Sequence, residues 1–300
     1  NPTGITFNAT SGGAFNTNSA EYIYVAIRAP MMKKPSAATD VFAVSTEAAF
    51  SSDRLVSAGF TVDAAISSQT GSSGASHMTN RLTSNTWLSP DETTPEGTGY
   101  YWLYDESLGV KGTNAQYGSV TTVWNMWKRA KGFFDVVAYK GTGSAMNLSH
   151  SLGAVPELVI IKIRYYSPYP SYGGDKWYVY HKDLGIGSHI ALQSASAKVN
   201  QGFLSSLPTE TNLPLQNTGG DSLATVDSST TYISYLFATL AGISKVGSYS
   251  GNGTNNHVIN CGFSSGARFI LIKRSNGAGD WFQFDSVRGI TSTSNDGIIY

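Results

Sequence analysis

Acidic and aromatic side chains occur together at one place in the sequence. Glycoside hydrolysis needs two carboxyl groups about 5 to 10 Å apart, one of them with a raised pKa, and aromatic rings that stack on the sugar assist binding. The stretch from Asp91 to Glu106 offers both, which makes a polysaccharide-cleaving site one interpretation. The other interpretation is a solvated loop whose acids only face water. The residues concerned are the acids Asp91, Glu92, Glu96, Asp105 and Glu106 and the aromatic run Tyr100-Tyr-Trp-Leu-Tyr104.

A second aromatic group lies in a segment rich in tyrosine, serine, proline and glycine, Tyr165–Gly174. Rigid aromatic faces beside Ser and Gly give contact area at low conformational-entropy cost, which suits a sugar or a protein surface. The alternative is that these rings pack against a neighbouring repeat or chain. The predicted glycan- or partner-contact residues are Tyr165, Tyr166, Tyr169, Tyr172, Tyr101 and Trp102.

Other site chemistry finds little support in the sequence. The five histidines show no metal-ligand spacing, and no Gly-x-Ser-x-Gly motif is present. The single cysteine, Cys261, excludes an internal disulfide framework, and we expect a buried, inert thiol. We therefore predict no catalytic residue, no metal site and no cofactor.

Composition limits the class of partner. Only 13% of the 300 residues are charged, and 20 basic residues balance 20 acidic ones. This gives no electrostatic footprint for nucleic acid or for anionic lipid. No apolar run reaches the length of a membrane span, so no membrane insertion is expected. A content of 41% hydrophobic residues is sufficient to build folded cores.

An internal repeat organises the chain. Thr121–Gly143 returns as a weaker copy at Thr231–Gly253, with Gly132 and Gly242 separated by 110 positions. Its strand-like start occurs a third time at Glu21–Arg28. Trp124 and Trp127 lie in slots that stay mostly apolar across the copies, so we predict that both pack in a core rather than bind a ligand.

We call the strand-like start of each copy the closing strand, because it would end the preceding repeat. Further strand-like segments follow it in a constant order. The least similar copy places Asp40–Ser45, Gly59–Ile66 and Met78–Trp87 in these slots by pattern alone. The predicted segments of the other two copies are Phe133–Tyr139, Met146–His150, Glu157–Arg164 and Lys176–Gly185, then Ile243–Tyr249, Asn256–Asn260, Ala267–Arg274 and Asp280–Gly289.

Short strands separated by Gly, Ser, Asn and Pro, with almost no helical pattern, predict an all-β fold. We predict tandem, jelly-roll-like β-sandwich repeats of about 100–110 residues. Residues 1–30 would end a preceding repeat, 31–130 form a diverged repeat, 131–240 form a second repeat, and 241–300 begin a further, truncated one.

Three segments carry a family resemblance: Met126–Gly143, Leu148–Lys162 and Trp177–Gly185. They resemble the repeated domain of unknown function in tail-fibre and other virion structural proteins of marine bacteriophages, over about residues 20 to 300. The resemblance implies a tail fibre or related appendage of the virion and a role in host attachment, and it carries no catalytic residue. Tyr165–Gly174 is longer than the usual linker of that family and could be a specialised contact surface.

The leading hypothesis is therefore a non-enzymatic virion structural protein that attaches to the host surface. Expected partners are further copies of the chain, with a trimer as the expected state for a fibre, other virion proteins and a host surface glycan. One alternative is a phage polysaccharide depolymerase that uses the acids between Asp91 and Glu106. The other is a pure scaffold without a ligand.

Overall fold

The structure is a computed structural model that describes residues 17, 19–22, 32–49, 52–70, 76–83, 85–99, 102–104, 106–112, 120–165, 176–217 and 230–290. Its contacts divide the chain into two units, residues 1–31 and 32–300. In the first unit the backbone amide of Thr17 donates to the hydroxyl of Tyr22 at 3.0 Å. All the described strands lie in the second unit.

The regular secondary structure of the described part of the second unit is almost entirely antiparallel β-sheet, which confirms the predicted all-β fold. Its helical residues are limited to two 3₁₀ turns, Ala38–Asp40 and Lys182–Leu184. The strands are β1 (Phe42–Glu47), β2 (Arg54–Ser57), β3 (Ala64–Gln69), β4 (Ser76–Asn80), β5 (Thr86–Trp87), β6 (Gly97–Thr98), β7 (Trp102–Leu103), β8 (Gly109–Gly112), β9 (Thr122–Trp127), β10 (Phe134–Lys140), β11 (Met146–Ser149), β12 (Leu158–Tyr165), β13 (Trp177–His181), β14 (Ile190–Ala191), β15 (Asn212–Leu215), β16 (Thr231–Phe237), β17 (Phe269–Lys273) and β18 (Trp281–Asp285).

Two large sheets share one strand order. The first sheet runs β1-β9-β3-β4, and the second runs β10-β16-β12-β13 with the short β14 at its edge. A smaller sheet accompanies each of them, β2-β8-β7 in the first repeat and β11-β15 in the second. Each repeat is thus a β-sandwich with the same succession of strands.

Strand β9 shows why these segments form central strands. Its sequence, Thr-Val-Trp-Asn-Met-Trp, is β-branched and aromatic, and all six residues are buried. Trp124 and Met126 pack toward the small sheet of the first repeat, whereas Trp127 points to the opposite face. Both tryptophans therefore belong to cores, as the comparison of the copies predicted.

The two repeats pack face to face along a surface that we call the seam. The large sheet of each repeat contributes one face, and the resulting core joins both. Trp127 lies at its centre, with its ring centroid 5.3 Å from that of Phe42 and 6.5 Å from that of Phe237. The buried residues of the seam are Val41, Phe42, Ala64, Met78, Leu88, Trp127, Ala130, Phe133, Phe134, Val136, Ile160, Trp177, Val179, Ile233, Tyr235 and Leu240.

Polar contacts also cross the seam. The side-chain amide of Asn80 donates to the Tyr235 hydroxyl at 3.2 Å, and the indole N–H of Trp177 donates to the Ser89 carbonyl at 2.8 Å. Because these bonds are directional, they fix the register of one sheet on the other in a way that apolar contacts alone do not.

The same tight turn leads out of β9 and β16. Ala130 forms an isolated bridge with Phe134, and Leu240 forms one with Ser244. Gly132 and Gly242 lie within these turns at φ of 74° and 75°, a left-handed conformation that favours glycine. The spacing of 110 residues in the sequence thus corresponds to a repeated turn in the structure.

In both repeats a carboxylate before the third strand of the large sheet accepts a hydrogen bond from the backbone that follows the closing strand. Asp63 precedes β3 and accepts a hydrogen bond from the backbone amide of Arg129 at 2.7 Å. Glu157 precedes β12 and accepts one from the amide of Thr239 at 2.9 Å. Since Arg129 and Thr239 also lie 110 positions apart, this acid belongs to the repeated unit although its identity differs.

The third copy forms only the hairpin β17-β18 among the described residues. The predicted strands Ile243–Tyr249 and Asn256–Asn260 are absent, and that prediction is wrong for this structure. Their equivalents, β10 and β11, each pair with a single later strand, β16 and β15. No strand takes the place of these partners in the third copy among residues 241–290, so the two segments have no ladder to join.

Candidate functional site

A shallow cleft lies where the three copies meet, and we call it the junction cleft. Its residues come from the turn after β5, from the segment after β14 and from the start of β18. They are Asp91, Leu192, Gln193, Ser194, Ala195, Asp280 and Trp281.

Backbone and side-chain bonds hold the segment after β14 and the start of β18 together. The indole N–H of Trp281 donates to the Ala191 carbonyl at 2.9 Å, which fixes the ring at one side of the cleft. The amide of Gly279 donates to the Ala195 carbonyl at 2.8 Å, and Gln193 accepts from the amide of Trp177 at 3.1 Å. The cleft is therefore positioned by the repeats rather than by a single free loop.

The cleft combines acids with an aromatic ring. Asp91 is exposed as a whole residue, but partial desolvation of its carboxyl raises the pKa, the neighbouring charge of Glu92 raises it further, and a hydrogen bond from its own backbone opposes both. Asp280 contributes a second carboxyl group, and Ser194 a hydroxyl that donates to Ser196 at 2.9 Å. Carboxylates that accept from hydroxyl groups beside an indole are the side-chain chemistry that suits a sugar.

The predicted contact residues fall into two groups. Trp102 is 1% exposed and packs in the core between the sheets of the first repeat. An indole buried to this extent has no free face for a ligand, so Trp102 is corrected to a core residue. Tyr165 ends β12 and pairs with Thr231 through the backbone. Tyr101, Tyr166, Tyr169 and Tyr172 lie outside the described residues.

The described residues of the acidic stretch do not form a single cleft with the described part of its aromatic run. Glu96 is engaged by Arg164 and by the Thr86 hydroxyl, at 2.7 Å each. Tyr104 is buried, and its hydroxyl lies 2.6 Å from that of Thr79 inside the first sandwich. Glu92 is exposed and accepts from the hydroxyl of Thr94 at 3.0 Å. Among the described acids of this stretch, the junction cleft contains Asp91 alone, and Asp105 lies outside the described residues.

Sequence reasoning missed Asp280, Trp281 and Gln193 as site residues. The repeat aligns Trp281, in the segment Asp280–Gly289, with Trp177, in the segment Lys176–Gly185. The two indoles differ in the structure, because Trp177 is fully buried and Trp281 is partly exposed. A signal was available in the residue before each tryptophan, which is Asp280 in one copy and Lys176 in the other.

Within the described residues, no three His, Cys, Asp or Glu side chains converge as metal ligands. No helix there is long and apolar enough to cross a membrane. The predicted burial of Cys261 is wrong, since its side chain is partly exposed and its thiol lies 3.8 Å from the Ile259 carbonyl.

A domain of unknown function, DUF7483, matches residues 79–299, nearly three quarters of the chain. The chain belongs to the DUF7483 family. The DUF7483 region begins within β4 and includes the second large sheet, the hairpin β17-β18 and all the residues of the junction cleft. Strands β1 to β3 precede it. No curated protein and no solved structure matches the chain.

Proposed function

We propose that the chain is a structural protein of a bacteriophage virion, part of a tail fibre or related appendage that attaches to the host without enzymatic activity. The observation that carries the proposal is the seam. Successive repeats share one buried core and are not joined by flexible linkers alone. Each added repeat would therefore lengthen a rigid assembly. Stiff extension is the mechanical requirement of an appendage that holds a contact surface away from a particle.

The surface of the chain fits the same role. The equal numbers of acidic and basic residues, with few of either, suit a protein that works outside the cell in variable salt. The proposed partners are further copies of the chain, as a trimer in a fibre, together with other virion proteins. The resemblance to virion proteins of marine phages supports the proposal that this particle is a phage virion.

The proposed contact with the host is a surface glycan at the junction cleft. Trp281 would stack on a sugar ring, and Asp91 and Asp280 would accept hydrogen bonds from its hydroxyl groups. Such a site is weak alone, and several copies on one appendage would raise the overall affinity by avidity.

Location is tested by immunogold electron microscopy of phage particles that encode this sequence, with antibodies raised against the chain. Label on an appendage is expected. Label confined to lysate proteins outside the particle would contradict the virion role.

Attachment is tested by competition, in which the soluble chain should reduce phage adsorption to host cells. Trp281→Ala should remove the competition, because the stacking ring is lost. Tyr249→Ala is the matched control, since that ring is exposed in the same copy but lies outside the cleft. Equal competition by all three proteins would favour another contact surface, and no competition by any of them would favour a pure scaffold.

The two carboxyl groups that line the junction cleft favour one second candidate, a polysaccharide depolymerase whose acid is Asp91, with its raised pKa, and whose second carboxyl is Asp280. Host polysaccharide should then be shortened by the wild-type chain and by Glu210→Gln, an exposed control, but not by Asp91→Asn or Asp280→Asn. Intact polysaccharide after incubation with the wild-type chain would rule out this candidate.

A further inference from the structure

The turn that joins β17 to β18 contains an asparagine followed by a glycine, Asn276-Gly277. Asn276 is exposed, and the backbone amide of Gly277 has no hydrogen-bond partner among the described residues. An amide nitrogen without a bond, on a residue without a side chain, can approach the carboxamide of the preceding asparagine, which makes this pair thermally labile. The turn therefore presents both reacting groups of a deamidation.

A cation lies against this pair. Nε of Arg274 donates to Oδ1 of Asn276 at 3.1 Å. The same guanidinium group lies beside Gly277, because a Cβ added to that glycine would lie 2.5 Å from Cζ of Arg274. Positive charge at this place stabilises the negative charge that forms on the amide nitrogen when it loses its proton, and then on Oδ1 when that nitrogen attacks. Arg274 is thus placed to assist both steps.

The chain contains a second pair of the same type, Asn252-Gly253. This pair is exposed as well, and the amide of Gly253 also has no partner among the described residues. Its Oδ1 accepts from the backbone amide of Thr254 at 3.0 Å, which is a neutral donor. The two pairs therefore share their reacting groups and differ in the charge of the group that donates to the side-chain oxygen.

We propose that Asn276 is a site of spontaneous deamidation and that Arg274 accelerates the reaction. The nitrogen of Gly277 loses its proton and forms a bond to Cγ of Asn276, the bond from Cγ to Nδ2 breaks, and Nδ2 leaves as ammonia with that proton. The product is a cyclic succinimide. Water, the only co-reactant, then opens the ring at one of its two carbonyl groups and leaves either aspartate or isoaspartate.

The position of the pair gives the modification a structural consequence, because the turn is bonded to the second repeat on both sides of it. The amide of Lys198 donates to the Ser275 carbonyl at 3.0 Å, and the amide of Gly279 donates to the Ala195 carbonyl at 2.8 Å. Isoaspartate inserts its Cβ atom into the main chain between these two bonds, whereas aspartate does not. Isoaspartate should therefore weaken at least one of the bonds, and Gly279 directly precedes Asp280 of the junction cleft.

The first test measures conversion at both pairs in the folded 300-residue chain by proteolysis and mass spectrometry. Digestion in heavy-oxygen water identifies conversion that occurs during the digestion itself. An exposed charge contact is partly screened, so Asn276 should convert roughly two- to fivefold faster than Asn252. Equal rates, a slower rate at Asn276, or no conversion at either pair would overturn the proposal.

Two variants test the role of the charge. Arg274→Gln keeps an N–H donor but removes the cation, and it should reduce the rate at Asn276 to that at Asn252. Arg268→Gln is the matched control, since it removes the same charge at the other end of β17 and should leave both rates unchanged. A rate at Asn276 that does not fall in Arg274→Gln, or that falls equally in both variants, would contradict the assistance by Arg274.

Urea separates the effect of the fold from that of the neighbouring sequence. The contact between Arg274 and Asn276 is lost in the unfolded chain, so the rates at Asn276 and Asn252 should become similar. An undiminished difference in urea would assign it to the flanking residues and would contradict the proposal.

Hydrogen exchange tests the structural consequence. The isoaspartyl form, separated after incubation, should lose protection at the amides of Lys198 and Gly279, whereas Asn276→Asp should retain it. Equal protection in the two proteins would contradict the predicted effect of the longer main chain.

Discussion

The guanidinium group of Arg164 in β12 holds the carboxylate of Glu96 in a paired contact, with Nη2 2.7 Å from Oε2 and Nε 2.8 Å from Oε1. The backbone amide of Glu96 also donates to the Arg164 carbonyl at 2.9 Å. Glu96 belongs to the first repeat and Arg164 to the second, and both side chains are mostly shielded from water. Three hydrogen bonds thus join Glu96 of the first repeat to Arg164 of the second beside the apolar core of the seam.

Loss of that pair should destabilise the seam. We expect Glu96→Gln to lower the free energy of unfolding by about 2 kcal/mol, since a shielded charge-assisted contact is removed and Arg164 keeps its charge. Urea denaturation measures the effect, with Glu92→Gln as an exposed control of equal chemistry. An additive double-mutant cycle between Glu96→Gln and Arg164→Gln would contradict the coupling.

Trp127 should matter equally to both repeats. Trp127→Ala is expected to cost about 3 to 5 kcal/mol through the cavity that it leaves in a shared core. Hydrogen exchange should show faster opening of β3 and β12 together, although these strands lie in different sheets. Protection lost in the first repeat alone would show that the repeats unfold independently.

His77 should make stability depend on pH. Burial lowers the pKa of this histidine from 6.5 to about 4, and its ring lies 4.8 Å from Trp87 and 5.5 Å from Trp102 between centroids. The unfolded chain therefore binds the proton more readily, so its contribution to stability is complete above about pH 6.5 and is lost as pH falls toward about 4. The loss is on the order of 3 kcal/mol.

Thermal unfolding across that range should be less pH-dependent in His77→Phe than in the wild type. Desolvation also lowers the pKa values of the buried His150 and His189 and of the partly buried His181, so a residual dependence of the same sign is expected. His257→Phe, at an exposed position, should match the wild type. An unchanged slope in His77→Phe would contradict the prediction.

Asn125 should be replaceable by an apolar residue. It is fully buried in β9 between Val44 and Ile66, and neither polar atom of its side chain has a partner among the described residues. Asn125→Val should leave the free energy of unfolding unchanged or raise it by up to about 1 kcal/mol, because an unpaired amide leaves the core. The melting temperature measures the direction of the change. A large loss would show that a buried water serves Asn125.

Asn80→Val is the control for that experiment. The Asn80 side chain bonds to Tyr235 and accepts from the amides of Leu82 and Thr83 at 3.0 and 3.1 Å. We expect a loss of about 2 kcal/mol, since several partners are left without a bond.

The sequence predicted the closing strands β9 and β16 of the two large sheets well, but not the mostly buried strands β8 and β15 of the small sheets. Trp124 and Trp127 were assigned to cores because their slots stay apolar across the copies, and the structure buries both. The segments at Ile243–Tyr249 and Asn256–Asn260 were misjudged, because a pattern of apolar residues cannot show whether a partner strand is present.

The site was harder to predict than the fold. Asp91 was identified among acids close in sequence, yet its partners in the cleft come from segments about 100 and 190 positions later. Only the face-to-face packing of the repeats brings them together. A repeat alignment gives the order of strands within a unit but not the surface through which two units meet.

The seam also restricts how such a chain can evolve. Because each large sheet is complementary to one particular neighbour, a repeat cannot be exchanged, inverted or copied to another position without mismatching a core. Trp127 and Phe269, whose ring centroids lie 5.2 Å apart, are one such match between two copies. A chain with its repeats in another order should therefore lose these cores.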